Sequence, residues 1–481
     1  MNEIYKLTLT EVVEKLKSRQ ISATEMISAA LARIEVTEPN LKACLTILGD
    51  QALSAARKLD QDGPDPTRPL WGVPVTVKDV FCTKGIRTTA ASRYLENYIP
   101  AYDAQVVIKL RQAGAVIVAK TNLDEFAMGS STEFSAFGPT RNPWNLTKVP
   151  GGSSGGAAAS VVAFQTPGAL GTDTGGSIRQ PATLCGCVGL KPTYGRVSRY
   201  GIVAYGSSLD QAGPLARRVR DCASLLSVIA GYDDRDATSS LHQTDDYTTA
   251  QPVTLRGFKL GLPQELWNIK LDPDIEDALK NALKILEETG VELRSVNLPH
   301  LKYSVAAYYI LATAEASTNL ARYDGVRYGH RSNNPQDLTE LYMASRSEAL
   351  GPEVRRRILL GTFALSAGYY DTYYKKAAQV RRLIRDDYYQ ALTDCDLLIT
   401  PVSSLLAWDF GSFIQDPLTL YQLDLMTLPV NLAGLPALAL PVTLGKTSGL
   451  PVGLQLIGRP FDEINIISAG LALEELFPPL R

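Results

Sequence analysis

Short apolar runs alternate with amphipathic stretches along most of the chain. Buried β-strands are predicted at WGVPVTVKDVF, GAVIVAKT, FKLGLP, DLLITPV, ALALPV and VGLQLIG, because each is a short apolar run bounded by glycine, proline or polar residues. Helices are predicted over most of residues 1–60, at YDAQVVIKLRQA, at DIEDALKNALKILEETG and around 353–392. A helix followed by a buried strand is the order typical of an α/β fold. We therefore expect one large α/β domain built on a mixed β-sheet core flanked by helices on both faces.

The longest weakly polar run, TLPVNLAGLPALALPVTLG, extends from Thr427 to Gly445 and is nearly long enough to span a bilayer. Pro429, Pro436 and Pro441 interrupt it, and each would remove a helix hydrogen bond. Buried strands and turns are therefore predicted here rather than a membrane helix. The N-terminal segment MNEIYKLTLTEVVEKLKSRQ also lacks the apolar core of a signal peptide.

Composition, net charge and cysteine spacing limit the kinds of partner and metal site that the chain is expected to have. Hydrophobic residues make up 45% and charged residues 20% of the 481 residues, which is typical of a globular protein with a substantial core. A formal net charge of −2 gives no global electrostatic reason to bind nucleic acid or an anionic membrane. The six cysteines are scattered, and Cys185 and Cys187 stand too close in sequence for a typical zinc pair. We expect reduced, mostly buried cysteines, no metal, and a cytosolic compartment.

The glycine-rich stretch PGGSSGGAAAS at 150–160 has the composition of a linker, a phosphate-binding loop or a catalytic loop. It runs into the apolar helix candidate AAASVVAFQ, and a second glycine loop, GTDTGGSIRQPA, follows at 171–182, so a solvated linker is disfavoured. The loop has no lysine for a Walker motif. The one GK[ST] sequence, at 445–447, has Leu440 where the first glycine of that motif would stand. A catalytic loop is the remaining interpretation.

Acyl transfer requires a nucleophile, a base and hydrogen-bond donors for an oxyanion. Ser153, Ser154 and Ser177 are candidate nucleophiles with glycine neighbours that allow backbone N–H groups to converge. No histidine lies within sixty residues of Ser177, and no GxSxG motif surrounds these serines. Lys78, at the end of the apolar run GVPVTVKD, could be the base if burial keeps it neutral. The alternative for Lys78 is a surface lysine at a strand end.

Three long stretches resemble the amidase signature family: GVPVTVKDVF, VPGGSSGGAAASVVA and GALGTDTGGSIRQPATLCGCVGLKPTYGRVS. The 24-residue spacing of Ser153 and Ser177 also matches the paired serines of that family. Further stretches resemble one branch of it, the A subunits of glutamyl-tRNA(Gln) amidotransferases. These are DEFAMGSSTE, RYGIVAYGSSLDQAGP, RRRILLGTFALSAGYYDTYYKKAAQVR, TLPVNLAGLPALALP and LPVGLQLIGRPFDE.

The resemblance implies a Ser–Ser–Lys triad. Ser177 would be the nucleophile, Lys78 the base, and Ser153, after a cis peptide bond at Gly152–Ser153, the proton bridge between them. The oxyanion would be held by backbone N–H groups of Thr174, Gly175, Gly176 and Ser177. The residues alone do not distinguish Ser153 from Ser154. Asp173 and Arg179 flank the nucleophile loop, and they would form either supporting hydrogen bonds or a surface or core ion pair.

The same resemblance implies a glutamine site. Glutamine carries an ammonium and a carboxylate, so a site for it needs one anion and one cation at a fixed distance. The implied substrate-binding residues are Tyr308, Arg357, Asp424, Met128 and Gly129. Arg355 and Arg356 adjoin Arg357 and are alternatives to it, and a solvated basic turn is a further alternative. For Asp424 the alternative is an N-cap or an exposed loop.

The implied organisation is a single amidase domain over 1–481. It would contain N-terminal helices (1–65), a catalytic signature core (66–235), a mainly helical substrate-side region (236–390), and returning strands with a C-terminal helix (391–481).

The implied function is that of a glutaminase subunit, whose ammonia serves the ATP-dependent conversion of Glu-tRNA(Gln) to Gln-tRNA(Gln). Subunits B and C would be the partners, and the partner would bind ATP, Mg and most of the tRNA. No cofactor is predicted in this chain, and its location would be the cytoplasm or the equivalent organelle stroma or matrix. The alternative functions are a free-standing amidase acting on another small amide and a scaffold subunit without catalytic activity.

Overall fold

The computed structural model describes residues 3–481. Its strands are β1 (Cys44–Ile47), β2 (Pro74–Lys78), β3 (Val116–Thr121), β4 (Gly168–Thr172), β5 (Val188–Lys191), β6 (Ala212–Ala216), β7 (Lys259–Pro263), β8 (Glu292–Val296), β9 (Leu397–Pro401), β10 (Ala437–Leu444) and β11 (Pro451–Ile457).

The α-helices are α1 (Leu9–Lys17), α2 (Ala23–Leu41), α3 (Gly49–Asp62), α4 (Gln105–Gln112), α5 (Gly155–Val162), α6 (Arg179–Cys185), α7 (Val219–Ile229), α8 (Gln264–Trp267), α9 (Pro273–Glu288), α10 (Ser304–Asn319), α11 (Leu338–Ala349), α12 (Pro352–Leu365), α13 (Lys376–Ala391), α14 (Pro417–Leu423), α15 (Leu428–Ala433) and α16 (Glu463–Leu476).

All the described strands form one eleven-stranded sheet in the order β1-β3-β2-β4-β6-β5-β10-β11-β9-β7-β8. Strand β2 is parallel to β3 and β4, β7 is parallel to β8 and β9, and the strands from β4 to β9 pair antiparallel. Every residue of β2, β4, β5, β6, β9 and β11 is buried, so both sheet faces are covered there. The predicted mixed α/β sheet flanked by helices is confirmed.

The strands predicted from apolar runs are all present, as β2, β3, β7, β9, β10 and β11. The helical segment at 353–392 is also present, but it is interrupted between α12 and α13 near Gly368, whose φ is +86°, and resumes through a π-helical turn at Asp371–Lys375. Five strands were not predicted: β1, β4, β5, β6 and β8. The sequences of β4 (GALGT) and β6 (AGPLA) are rich in small residues and carry little hydrophobic signal.

The structure corrects the prediction made for the apolar run Thr427–Gly445. Its second half is strand β10, as expected, but its first half forms α15 rather than a strand or turn. Pro429 lies in the first turn of α15, where a missing N–H costs no helix hydrogen bond. Gly434, with φ of +73°, ends the helix.

None of the helices in the described residues combines the length and the apolar character needed to cross a membrane.

The six cysteines are free thiols, and five of them are buried. Cys44 is partly exposed. Across residues 3–481, no group of three or more His, Cys, Asp or Glu side chains is arranged to hold a metal ion.

Candidate active site

Lys78 ends β2 and is completely buried. Its Nζ donates to the hydroxyl oxygens of Ser153 at 2.7 Å, Ser154 at 2.9 Å and Thr172 at 2.9 Å. Burial lowers the pKa of Lys78 to about 7, although three buried carboxylates nearby favour the charged form. The alternative of a surface lysine is therefore wrong, and with this pKa a substantial fraction of the amine is neutral at physiological pH.

The two adjacent serines make different hydrogen bonds. The Ser154 hydroxyl donates to the Thr172 carbonyl at 3.0 Å, so its proton is already committed when it accepts from Lys78. The Ser153 hydroxyl makes its only hydrogen bond within the described residues with Lys78. Of the two serines, Ser153 is therefore the one whose hydroxyl proton has no other acceptor among the described residues, a distinction that the sequence left open. The Gly152–Ser153 peptide bond is cis, as the resemblance implied.

The glycine-rich loop is tightly packed. A Cβ atom on Gly152 would overlap the Asp124 carboxylate, and one on Gly155 would overlap the Thr132 hydroxyl. The loop residues 150–160 are all buried. This confirms that the loop is not a solvated linker.

Asp173 organises the second loop, which carries Ser177. Its buried carboxylate accepts the N–H groups of Gly176 at 2.8 Å and Ile178 at 3.2 Å. The Arg179 guanidinium contacts the same carboxylate at 3.0 Å. Burial alone would raise the pKa of Asp173, but Arg179 holds it well below its usual range. Asp173 and Arg179 thus form a buried ion pair that also shapes the nucleophile loop, so both sequence interpretations apply.

The two loops meet directly, because the Ser154 N–H donates to the Ser177 carbonyl at 3.1 Å. The Ser177 side chain is 8% exposed, and its hydroxyl makes no hydrogen bond with any described residue. Of the four predicted oxyanion donors, the Gly176 N–H is committed to Asp173. The N–H groups of Thr174, Gly175 and Ser177 have no partner in the described part of the chain.

Only one of the three consecutive arginines of α12 is buried. Arg355 is exposed and Arg356 is partly exposed, whereas Arg357 is buried. The Arg357 Nε donates to Glu353 at 2.8 Å, and its Nη1 donates to the Tyr205 hydroxyl at 2.7 Å. The buried position rules out a solvated basic turn for Arg357 and leaves it the only one of the three arginines enclosed by the protein.

Asp424 follows the last turn of α14 and is 8% exposed. Its Oδ2 accepts from the Ser130 hydroxyl at 2.8 Å and from the Tyr309 hydroxyl at 3.0 Å. Burial raises the pKa of Asp424 to about 6. Neither an N-cap nor an exposed loop describes this residue. Its Oδ1 makes no hydrogen bond to the described residues and remains available to a cationic ligand.

Tyr308, Met128 and Gly129 occupy different surroundings. The Tyr308 hydroxyl lies against Gly175 of the nucleophile loop, where an added Cβ atom would overlap it. Gly129 packs against the Asp124 carboxylate, and Met128 is fully buried. Tyr308 therefore adjoins the loop that carries Ser177, and contact of Tyr308, Met128 or Gly129 with a substrate stays a prediction.

The amidase family model matches residues 25–467, most of the chain. This chain belongs to the amidase family. The A subunit of the glutamyl-tRNA(Gln) amidotransferase of Nitratidesulfovibrio vulgaris is 55% identical over 100% of this chain and 99% of that protein. The protein of the same name from Oleidesulfovibrio alaskensis is 56% identical, over 99% of this chain and 98% of that protein. The solved structure of the corresponding A subunit from Thermotoga maritima matches with a TM-score of 0.83 and 43% identity, covering 99% of this chain and 96% of that chain.

Several residues that shape the site of this amidase-family chain were not predicted from its sequence. Glu353 could have been found, because it stands one helical turn before Arg357 and that spacing places an acid beside a base. Tyr205, Ser130 and Tyr309 come from three separate segments, and no local pattern connects them with Arg357 or Asp424.

Proposed function

We propose that this chain is the glutamine-hydrolysing subunit of an amidotransferase that converts Glu-tRNA(Gln) to Gln-tRNA(Gln). The main support is a completely buried lysine bonded to Ser153, with Ser177 on the adjoining loop and a buried cation and anion nearby. The names of the relatives at 55% and 56% identity support the same assignment.

In the proposed reaction, Ser177 attacks the side-chain amide carbon of glutamine. The Ser177 proton passes to Ser153, which gives its own proton to neutral Lys78. The negative oxygen of the tetrahedral intermediate is held by backbone N–H groups of Thr174, Gly175 and Ser177, which are unpaired among the described residues. Ammonia leaves with the proton returned by the same route, and water then hydrolyses the glutamyl ester of Ser177.

Glutamine would be held at its charged end. The Arg357 guanidinium would bind the carboxylate through N–H groups that Glu353 and Tyr205 leave unused. The Asp424 Oδ1 would accept from the ammonium group, which would also favour the ionised carboxylate. Tyr308 would contribute its hydroxyl beside Gly175, and Met128 and Gly129 would complete the wall of the site.

The ammonia would be used by partner subunits, which we propose are subunits B and C. The partner would bind ATP and Mg, activate the glutamate on the tRNA and make most of the tRNA contacts. The complex would work where translation occurs, in the cytoplasm or the equivalent organelle stroma or matrix.

The test replaces the nucleophile in the purified complex. Ser177→Ala is expected to lose glutamine-dependent amidation by at least about 1,000-fold, because no acyl ester forms, and to retain amidation with added ammonium. Ser160→Ala is the matched control, since Ser160 is also buried but donates to the Ala157 carbonyl on α5. It is expected to retain both activities.

Other outcomes identify the alternatives. Equal loss with both nitrogen sources in a folded complex would show that Ser177 does not release ammonia. Unchanged glutamine-dependent activity would indicate a non-catalytic scaffold. Hydrolysis of a small amide by the isolated chain, without stimulation by partners, would indicate a free-standing amidase.

A further inference from the structure

Asp210 is buried on the segment before β6 and is not among the residues proposed to touch glutamine. Its Oδ1 accepts from the Thr174 hydroxyl at 2.7 Å and from the Gly206 N–H at 3.1 Å. Its Oδ2 accepts from the Tyr205 N–H at 2.9 Å. One carboxylate therefore binds the loop that holds the nucleophile and also the segment that carries Tyr205.

One of those two segments adjoins the proposed oxyanion position, and the other contacts the arginine proposed to bind the glutamine carboxylate. The Thr174 N–H has no partner among the described residues and is one of the groups proposed to hold the oxyanion. The Tyr205 hydroxyl accepts from the Arg357 guanidinium at 2.7 Å. A further bond, from the Asp173 N–H to the Gln211 carbonyl at 2.8 Å, joins the same two segments beside Asp210. Thr174 is thus connected to Arg357 through Asp210 and Tyr205, since the Tyr205 N–H donates to Asp210 and the Tyr205 hydroxyl accepts from Arg357.

We propose that Asp210 is a positioning residue that fixes the oxyanion loop and the carboxylate-binding arginine relative to each other. This inference rests on the proposed function, because the distance it sets is the one between the reacting amide and the charged end of glutamine. Asp210 sets that distance from outside the pocket, and it affects turnover through Thr174 and substrate binding through Tyr205 and Arg357.

The sharpest substitution is Asp210→Asn, which keeps the size of the side chain. An asparagine has one acceptor oxygen instead of two, so it can accept on the Thr174 side or from the Tyr205 N–H but not on both, and the connection between the two segments is broken. Thr174→Val removes the connection to the oxyanion loop alone. Tyr205→Phe removes the connection to Arg357 alone.

The measurements are kcat and KM for glutamine in the purified complex. We expect Thr174→Val to lower kcat and Tyr205→Phe to raise KM, each by about tenfold, the effect of one lost hydrogen bond to a charged group. Asp210→Asn is expected to change both parameters. The double variant Asp210→Asn/Thr174→Val is expected to lose less in kcat than the product of the two single losses, because both remove the same connection.

Asp221 provides the matched control. It is buried to a similar degree and accepts the same set of donors: two backbone N–H groups, from Leu9 and Thr10, and the Thr10 hydroxyl. Asp221→Asn is expected to lower Tm as Asp210→Asn does, yet to leave kcat and KM at wild-type values.

The inference is overturned if Asp210→Asn lowers Tm while both kinetic parameters stay unchanged, or if Asp221→Asn reproduces its kinetic effect. Strictly multiplicative kcat losses in the double variant would also overturn it. Failure of the proposed function is recognised separately, by wild-type complex that does not hydrolyse glutamine. In that case the kcat comparison is made on the small amide that the wild-type chain does hydrolyse, and an unchanged kcat for Asp210→Asn there overturns the inference.

Discussion

At the scale of single residues, the proposed chemistry depends on an amine that is completely buried. Lys78 has only hydroxyl groups as hydrogen-bond partners among the described residues, and burial lowers its pKa to about 7. A lysine must be neutral to accept a proton, and the neutral fraction grows as pH rises through that value. Lys78 thus can serve as a base at physiological pH, where an exposed lysine would be almost fully charged.

This predicts the pH dependence of glutamine hydrolysis. We expect kcat/KM to rise about tenfold per pH unit below pH 7 and to level off above it, as Lys78 loses its proton. Lys78→Arg is expected to be inactive at every pH, because a guanidinium stays charged. The measurement is a pH–rate profile of each purified complex.

Lys191 is the control for that profile. It is also buried, burial lowers its pKa to about 7, and it donates to the Pro192 carbonyl rather than to a serine. The Lys191→Met variant is expected to show the same rise of kcat/KM with pH as the wild type. If Lys191→Met instead abolishes the rise of kcat/KM with pH, the assignment of the base to Lys78 is wrong.

The sequence predicted part of this residue-level picture. The apolar run before Lys78 correctly indicated burial, and the glycine neighbours of Ser153 and Ser177 indicated a site. The choice of Ser153 over Ser154 could not be predicted, because it depends on the Thr172 carbonyl, which takes the Ser154 proton and is brought there by a separate strand.

At the scale of elements, the substrate side depends on how closely two helices approach. Gly361 of α12 packs directly against the backbone of α10 at Thr313, and an added Cβ atom would overlap that carbonyl. Helix α12 carries Arg357, and α10 carries Tyr308 and Tyr309. The glycine therefore sets the separation between Arg357 and Tyr309, whose hydroxyl donates to Asp424.

Gly361→Ala is expected to push the two helices apart. We expect the free energy of unfolding to fall by about 1–3 kcal/mol, the usual cost of overpacking, and KM for glutamine to rise. Gly49→Ala on α3 is the control, since its Cβ atom would meet nothing within 4 Å. Thermal unfolding and steady-state kinetics test both variants, and an unchanged KM for a destabilised Gly361→Ala would contradict this account.

Elements were predicted well where the sequence carries a hydrophobic pattern and missed where it does not. The apolar strands β3, β9 and β11 were recognised, whereas β6 (AGPLA) was not. Close packing explains the difference: a Cβ atom on Gly213 of β6 would overlap the Leu190 carbonyl of β5. Small residues are required there by contacts with a neighbouring strand, and such contacts leave no periodic signal in the local sequence.

At the scale of the whole molecule, one sheet assembles a site from distant parts of the chain. The pairing of β5 with β10 joins the serine loops to the C-terminal strands, and Arg179 donates to Gln455 of β11 at 2.8 Å across that junction. The predicted single domain follows from this continuity. Which distant segments meet could not be predicted from patterns that extend over ten or twenty residues.

The overall charge leads to a prediction about tRNA. With a formal net charge of −2, the isolated chain is expected to bind tRNA only weakly, because such binding is dominated by phosphate contacts with basic residues. A mobility-shift titration of the isolated chain and of the complex tests this. Tight, salt-sensitive binding by the chain alone would contradict our assignment of most tRNA contacts to the partners.

The close packing of the glycine-rich loop has a consequence for anyone who wishes to redesign this protein. Gly152 and Gly155 have no room for even one methyl group, so random mutagenesis of the serine loops is expected to yield mainly inactive variants. Tyr308, Arg357 and Asp424, which are proposed to bind glutamine, lie on other elements: α10, α12 and the end of α14. Libraries that aim at new amide substrates should vary those helices and leave the serine loops untouched.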